Sequence, residues 1–286
     1  MKIPNRIQPL VDDGLVDEVI SRLMSGKEAD VYVVRCGDEI RCAKVYKEAS
    51  KRSFKQAVVY QEGRRVRNSR NARAMEKGSK YGRQQHEEVW QNTEVDALFK
   101  LAAAGVRVPR PHVCLDGVLL MELVTDADGN VAPRLNDVAL TREQALIDHG
   151  KVIRYVVRML CAGLIHGDLS EFNVLVDAQG PVIIDLPQVV DAAANNQAKA
   201  MLERDVNNMR NYYGMYAPEL LKTRYAREMW ALFEDGKLGP ETELTGLFEE
   251  SREAVDLDGV LHEIESAQAE AMARRARQQA EQEEGF

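Results

Sequence analysis

Ile165-His166-Gly167-Asp168-Leu169-Ser170-Glu171-Phe172-Asn173-Val174-Leu175-Val176, followed shortly by Val182-Ile183-Ile184-Asp185, decides how the rest of the chain is read. The apolar triplets 174–176 and 182–184 predict a short hairpin across the polar turn between them. That hairpin would hold three side chains on one rim: Asp168, Asn173 five residues on, and Asp185 twelve further. An aspartate, an asparagine and a strand-end aspartate at this spacing are how a phosphoryl-transfer site arranges a general base and two metal ligands. A buried hairpin with polar caps explains neither the spacing nor an apolar strand that ends in Asp. Phosphoryl transfer needs mainly positioning and charge neutralisation, so Mg²⁺ held by Asn173 and Asp185 would supply much of the chemistry.

Upstream, Lys44 lies in Cys42-Ala43-Lys44-Val45-Tyr46, a strand pattern with apolar residues on both sides of the lysine. An isolated buried ammonium is costly, so a carboxylate partner is expected. Between Glu87 and Ala104 the apolar residues Val89/Trp90, Val95, Leu98/Phe99 and Ala102 recur at helical spacing, with Gly105 and Pro109 as the stop. This helix presents Glu94 beside Trp90 and Leu98. Glu94 is the expected partner of Lys44, with Glu87 and Glu88 as competitors, and such a pair turns a lysine toward nucleotide phosphates. Before it, Ser25-Gly26-Lys27-Glu28-Ala29-Asp30 has one glycine where a glycine-rich phosphate loop has three. Alone this is a hairpin turn; between two strands and upstream of Lys44 it reads as a nucleotide-covering loop.

From Val19 to Tyr46 the pattern is an antiparallel meander of three strands, and HVCLDG and VLLMELV add two more with a turn at Asp116-Gly117. The polar stretch 125–133 (TDADGNVAP) reads as a linker between lobes. Beyond it helices are expected over Thr141 to Ala162, about Ala192 to Tyr213, and Pro218 to Phe233, with Pro218 in a first helical turn. The division is an N-terminal lobe of residues 1–124 and a C-terminal lobe of 125–286, whose charged tail from about 270 frays.

The 286 residues are 45% hydrophobic and 29% charged, which excludes collagen-like, low-complexity and wholly disordered chains. Cys36, Cys42, Cys114 and Cys161 lack the paired spacing of a zinc knuckle or a disulfide framework, so a reducing compartment is expected. The first residues hold no apolar leader segment and no stretch suits a membrane span, so the expectation is a cytoplasmic protein with no membrane partner. Against 38 Lys+Arg stand 46 Asp+Glu, a net −8. Residues 47–85, however, carry 12 basic and 3 acidic side chains, a local +9 within that total, so the remainder is −17. This stretch, with Arg64-Arg65-Val66-Arg67, Tyr60 and Tyr81, reads as an exposed, partly mobile segment suited to RNA or a ribosomal particle, or as a solvated charge run.

In order along the chain, SGKEADVY, AKVYK, GDLSEFNVLV and IIDLPQ resemble the RIO family of atypical protein kinases, its type-one-like branch in particular. The resemblance runs from about residue 14 to 235 and includes FKQAVVYQEGRRVRN and ERDVNNMRNYY. It implies an α+β, two-lobed protein-kinase-like fold: an antiparallel-sheet N-lobe with one key helix and a mainly helical C-lobe, lacking activation and substrate-binding segments. It also implies Ser25, Gly26 and Lys27 in the phosphate loop, Lys44 as phosphate-binding lysine and Glu94 as its partner. The Glu122 carbonyl and Val124 amide would meet adenine, Asp168 would be the catalytic aspartate, and Asn173 and Asp185 the ligands of Mg²⁺ or Mn²⁺. Asp185 would also accept phosphate, giving ATPase beside serine/threonine kinase activity on a protein substrate and on the chain itself.

Two other readings share features with this one. Aminoglycoside and choline kinases also carry an HGD…N loop, although SEFNVLV and SGKEA favour the RIO resemblance. A nucleotide-gated module binding RNA or a ribosomal particle would use residues 47–85. Departures from ordinary kinases are His166-Gly167-Asp168, which lacks the arginine of H-R-D, and Ile184-Asp185-Leu186-Pro187 in place of D-F-G. Ala217-Pro218-Glu219 is read as a chance match to the A-P-E end of an activation segment.

Overall fold

Apolar residues on the inner strands build a sheet that is buried on both faces at its centre and exposed along most of its first strand. In the computed structural model, which describes residues 3–26, 29–47 and 93–248, strands β1 (Glu18–Ser25), β2 (Ala29–Cys36) and β3 (Glu39–Tyr46) form the expected meander. A helix, α2, covers residues 93–103, and β4 (Pro111–Leu115) and β5 (Val118–Glu122) follow; the start expected for α2 at Glu87 lies outside the described residues. The sheet is antiparallel in the order β1-β2-β3-β5-β4, so β3 lies at its centre, with Val31 and Leu119 opposite Lys44.

The period of two along β3 sorts its side chains. Ala43 and Val45 pack with Val34, Val118 and Leu120 against Ile7 and Leu10 of the N-terminal segment, whose helix α1 spans Gln8–Asp12. Lys44 and Tyr46 project to the opposite face, where Glu94 of α2 meets them. On that side Tyr46, Leu98, Leu101 and Leu119 join a hydrophobic cluster that continues through Val152, Val156, Val206 and Met209 to Met229. One apolar interior therefore runs from the sheet into the helical half.

In the helical half, α3 (Arg142–Cys161) starts where the Thr141 hydroxyl accepts a hydrogen bond from the Gln144 N–H at 3.2 Å. The stripe expected on it, Ile153, Val156, Val157 and Leu160, is buried. The apolar triplets pair as β7 (Val174–Asp177) and β8 (Gly180–Ile183), with Val174 opposite Ile183. Leu164–Ile165, β6, pairs instead with Val190–Asp191, β9. Helices α4 (Ala198–Gly214) and α5 (Tyr225–Glu234) complete the described chain.

The helical half differs from expectation at two helix starts. Residues 192–197 are turn rather than helix, because the Asp191 carboxylate accepts the amides of Ala193 and Ala194 and the Asn195 side chain that of Gln197. Pro218 opens a separate 3-10 turn, Pro218–Lys222, and α5 begins only at Tyr225. All four cysteines are free thiols. No helix among the described residues is long and apolar enough to cross a membrane.

Candidate active site

Lys44 is set into the face of the sheet that α2 covers. Its ammonium donates to Glu94 Oε1 at 2.5 Å and to Asp185 Oδ1 at 3.3 Å, while the Tyr46 hydroxyl donates to Glu94 Oε2 at 2.7 Å. Glu94 is 4% exposed, so its charge is neutralised inside the protein rather than by water. Burial works against the Lys44 charge, but the carboxylates of Glu94 and Asp185 outweigh it and raise the lysine above its ordinary pKa. Lys44 is a fixed cation. It also lies 5.5 Å over the Tyr46 ring.

Asp185 follows β8 by two residues and adopts φ +63°, a left-handed conformation costing a non-glycine residue about 1 to 3 kcal/mol. The backbone of the preceding residue is clamped on both sides: the Ile184 N–H donates to the Asn173 carbonyl at 3.0 Å, and its carbonyl lies 3.0 Å from His166 Nε2. The loop that carries Asp168 and Asn173 thus dictates how the chain enters Asp185. Asn173 is oriented too, because its Nδ2 donates to the Asp168 carbonyl at 2.8 Å and leaves the amide oxygen as its free end. Asp168 stands exposed at the rim, with Gln188 Nε2 donating to its Oδ2 at 3.3 Å. Its carboxyl is raised by desolvation first, with His166 and Arg204 pulling the other way.

Beneath this loop lies a residue the sequence reading did not single out. Asp205 of α4 is 1% exposed, and its two oxygens accept the amides of Gly167 at 2.8 Å and Leu169 at 3.1 Å, one on each side of Asp168. Burial pushes its carboxyl up to about 6. Arg204 donates to the Gly167 carbonyl and Asn208 to that of Leu169, so α4 grips the loop at four points. Gly167 has φ +81°, which accounts for glycine where H-R-D kinases have arginine: a side chain there would be strained. The motif ERDVNN contains Asp205, but its partners are backbone amides 36 and 38 residues away, which no local pattern announces.

At the end of β5, the Glu122 carboxylate takes both terminal nitrogens of Arg107, at 2.7 and 2.8 Å. Val124 is buried against Ala132 and Val182, and its carbonyl accepts the Ala132 N–H at 3.0 Å. Where β1 turns into β2, the Ser25 hydroxyl donates to Asp30 Oδ1 at 2.5 Å, and Lys47 donates to the Gly26 carbonyl at 2.7 Å. Lys27, Glu87, Glu88 and residues 48–85 lie outside the described residues. The Ala217-Pro218-Glu219 stretch ends no activation segment: only twelve residues lie between Asp185 and α4, and Glu219 pairs with Arg142 of α3.

The donors at the rim are hard oxygens, the Asp185 carboxylate and the Asn173 amide oxygen. Among the described residues no cluster of three or more His, Cys, Asp or Glu is arranged to hold a metal. Two oxygen donors without a protein cage fit Mg²⁺, which keeps several waters and shares substrate phosphates.

A five-stranded sheet with a lysine–glutamate pair, joined to a helical half that carries an aspartate loop and a strand-end aspartate, places the protein among the protein-kinase-like enzymes. The RIO domain model matches residues 30–226. The RIO-type serine/threonine-protein kinase Rio1 of Haloferax volcanii is 35% identical over 209 residues, 72% of this chain and 67% of that protein. The human serine/threonine-protein kinase RIO1 is 31% identical over 217 residues, 74% of this chain and 36% of its own length. The chain therefore spans well under half of some of the relatives it matches. A crystal structure of the Rio2 kinase–ADP/Mg²⁺–phosphoaspartate complex from Chaetomium thermophilum superposes with TM-score 0.52 at 23% identity, covering 73% of this chain and 59% of that one. The chain belongs to the RIO family of kinases.

Proposed function

We propose that the protein transfers the γ-phosphoryl group of ATP, with Mg²⁺, to serine or threonine of a protein substrate and of the chain itself, and that Asp185 also accepts phosphate. The observation that carries this reading is the Lys44 ammonium held between Glu94 and Asp185. A cation so placed can neutralise phosphate oxygens at the point where Asp185 is also within reach. Asn173 and Asp185 would hold the metal, whose part is to neutralise charge on the phosphates. Asp168 would orient the attacking hydroxyl and take its proton; the raised pKa of its carboxyl makes it a better base than an ordinary aspartate. Transfer to Asp185 would form an acyl phosphate and release ADP, and hydrolysis of that acyl phosphate would appear as ATPase turnover. The +9 stretch is the place where RNA or a ribosomal particle would be met.

Incubation with γ-labelled ATP tests this. Acid-stable label on serine or threonine, and hydroxylamine-labile label at Asp185, are expected with Mg²⁺ and lost with EDTA. Asp168→Ala should abolish transfer to hydroxyls, by about 10³-fold or more, while nucleotide binding persists. Asp185→Asn should remove the labile label and the metal dependence of binding. Full turnover in either variant would overturn the assignment.

A further inference from the structure

Arg107 lies in the connection between α2 and β4, outside every motif of the sequence. All five of its N–H donors are engaged. Nη1 donates to Glu122 Oε2 at 2.8 Å and to the Val108 carbonyl at 3.1 Å; Nη2 donates to Glu122 Oε1 at 2.7 Å and to Asp177 Oδ2 at 2.8 Å; Nε donates to the same Asp177 oxygen at 3.1 Å. The other Asp177 oxygen accepts the amides of Gln179 and Gly180, at 2.7 and 3.0 Å, which closes the β7–β8 turn. The Arg107 carbonyl accepts the Ile183 N–H at 2.9 Å, two residues before Asp185. Glu122 is held further by the Arg110 N–H at 3.0 Å, and the Asp177 side chain is 8% exposed.

We propose that Arg107 is a positioning residue that fixes the distance between the two ends of the nucleotide site. Its guanidinium ties the end of β5, where adenine would bind, to the hairpin whose strands begin after Asn173 and end before Asp185. The planar fork suits this: it meets one carboxylate with two parallel bonds and reaches the second from its other edge, which a lysine point charge cannot do. The inference rests on the nucleotide-binding reading above. It adds that a ligand spanning the cleft depends on Arg107, whereas a ligand occupying one end does not. A brace serving stability alone would treat all ligands alike.

The test is binding of three probes to the full chain: ATP with Mg²⁺, adenosine, and tripolyphosphate with Mg²⁺. For Arg107→Ala the ATP dissociation constant should rise by about tenfold, the loss of one charge-assisted hydrogen bond's worth of alignment, while adenosine and tripolyphosphate change by less than about twofold. KM for ATP should rise in parallel, and ADP should dissociate faster. Arg107→Lys should fail to restore ATP affinity, and Asp177→Asn, which keeps the turn acceptors, should reproduce the selective loss even if the alanine variant does not fold. Equal weakening of all three probes, or none, overturns the strut. Failure of the unaltered protein to bind ATP overturns the nucleotide reading itself.

Discussion

Asp205 carries its charge where burial resists one, and this gives the loop around Asp168 a pH signature. Its carboxyl titrates at about 6 in the fold against roughly 3.9 in an unfolded chain. A raised carboxyl means that the folded state holds the proton more tightly, so the stability from this group is fully present below about pH 4 and is lost as pH rises through about 6. Between those limits the unaltered protein should lose about 3 kcal/mol relative to Asp205→Asn, whose side chain does not titrate. Melting temperatures of both proteins from pH 4 to 7 check this, and parallel profiles would refute it. At pH 7 the asparagine would turn an N–H toward one of the two loop amides, and transfer should fall by about 10 to 100-fold. Lys44→Met offers a second test, because it leaves Glu94 buried without its cation. Breaking such a pair should cost about 3 to 5 kcal/mol in urea unfolding, with part recovered when Glu94→Leu is added. Lys44 and Glu94 could be singled out from the sequence because each sits in a strongly patterned element. Asp205 and Arg107 could not, because their partners are backbone amides and carboxylates brought close only by the folded chain.

Among the elements, the β7–β8 hairpin was the most legible, since two apolar triplets around a polar turn leave little choice of register. Its turn depends on Gly180, at φ +121°, where an added Cβ would also stand 2.7 Å from Lys151 Nζ and 3.1 Å from Asp148 Oδ1. The lysine end can move aside; the backbone angle cannot be relieved. Gly180→Ala should therefore destabilise the fold by about 1 to 3 kcal/mol, read from the urea midpoint, and disturb the entry to Asp185. The starts of α4 and α5 were less legible. Side-chain acceptors at Asp191 and Asn195 hold the chain in turns before α4, and a proline suited to a first turn begins a 3-10 segment as readily as an α-helix. The α2–β4 connection, which contains Gly105 and Pro109, reads only as a break, and its arginine shows its purpose only once Glu122 and Asp177 are seen beside it.

At the scale of the molecule, the acidic total conceals an uneven distribution: residues 47–85 are +9 and the remainder −17. The apolar interior has its own consequence. The same cluster contains Leu98, Leu101 and Leu119 from the sheet side and Val152, Met209 and Met229 from the helical side. The sheet half keeps one cluster of its own, around Ile7, Leu10, Val34 and Leu120, but its other face is built into the cluster it shares with the helices, so heating should give one calorimetric transition rather than two. Residues 1–124 produced alone should bind an exposed-hydrophobe dye and lack a cooperative melt. A site set between two halves is usually pictured as hinged, each half a body in its own right. Here the seam is sealed from within: a cavity opened even at Met229, deep among the helices, would draw on the same cooperative reserve that keeps Lys44 facing Asp185.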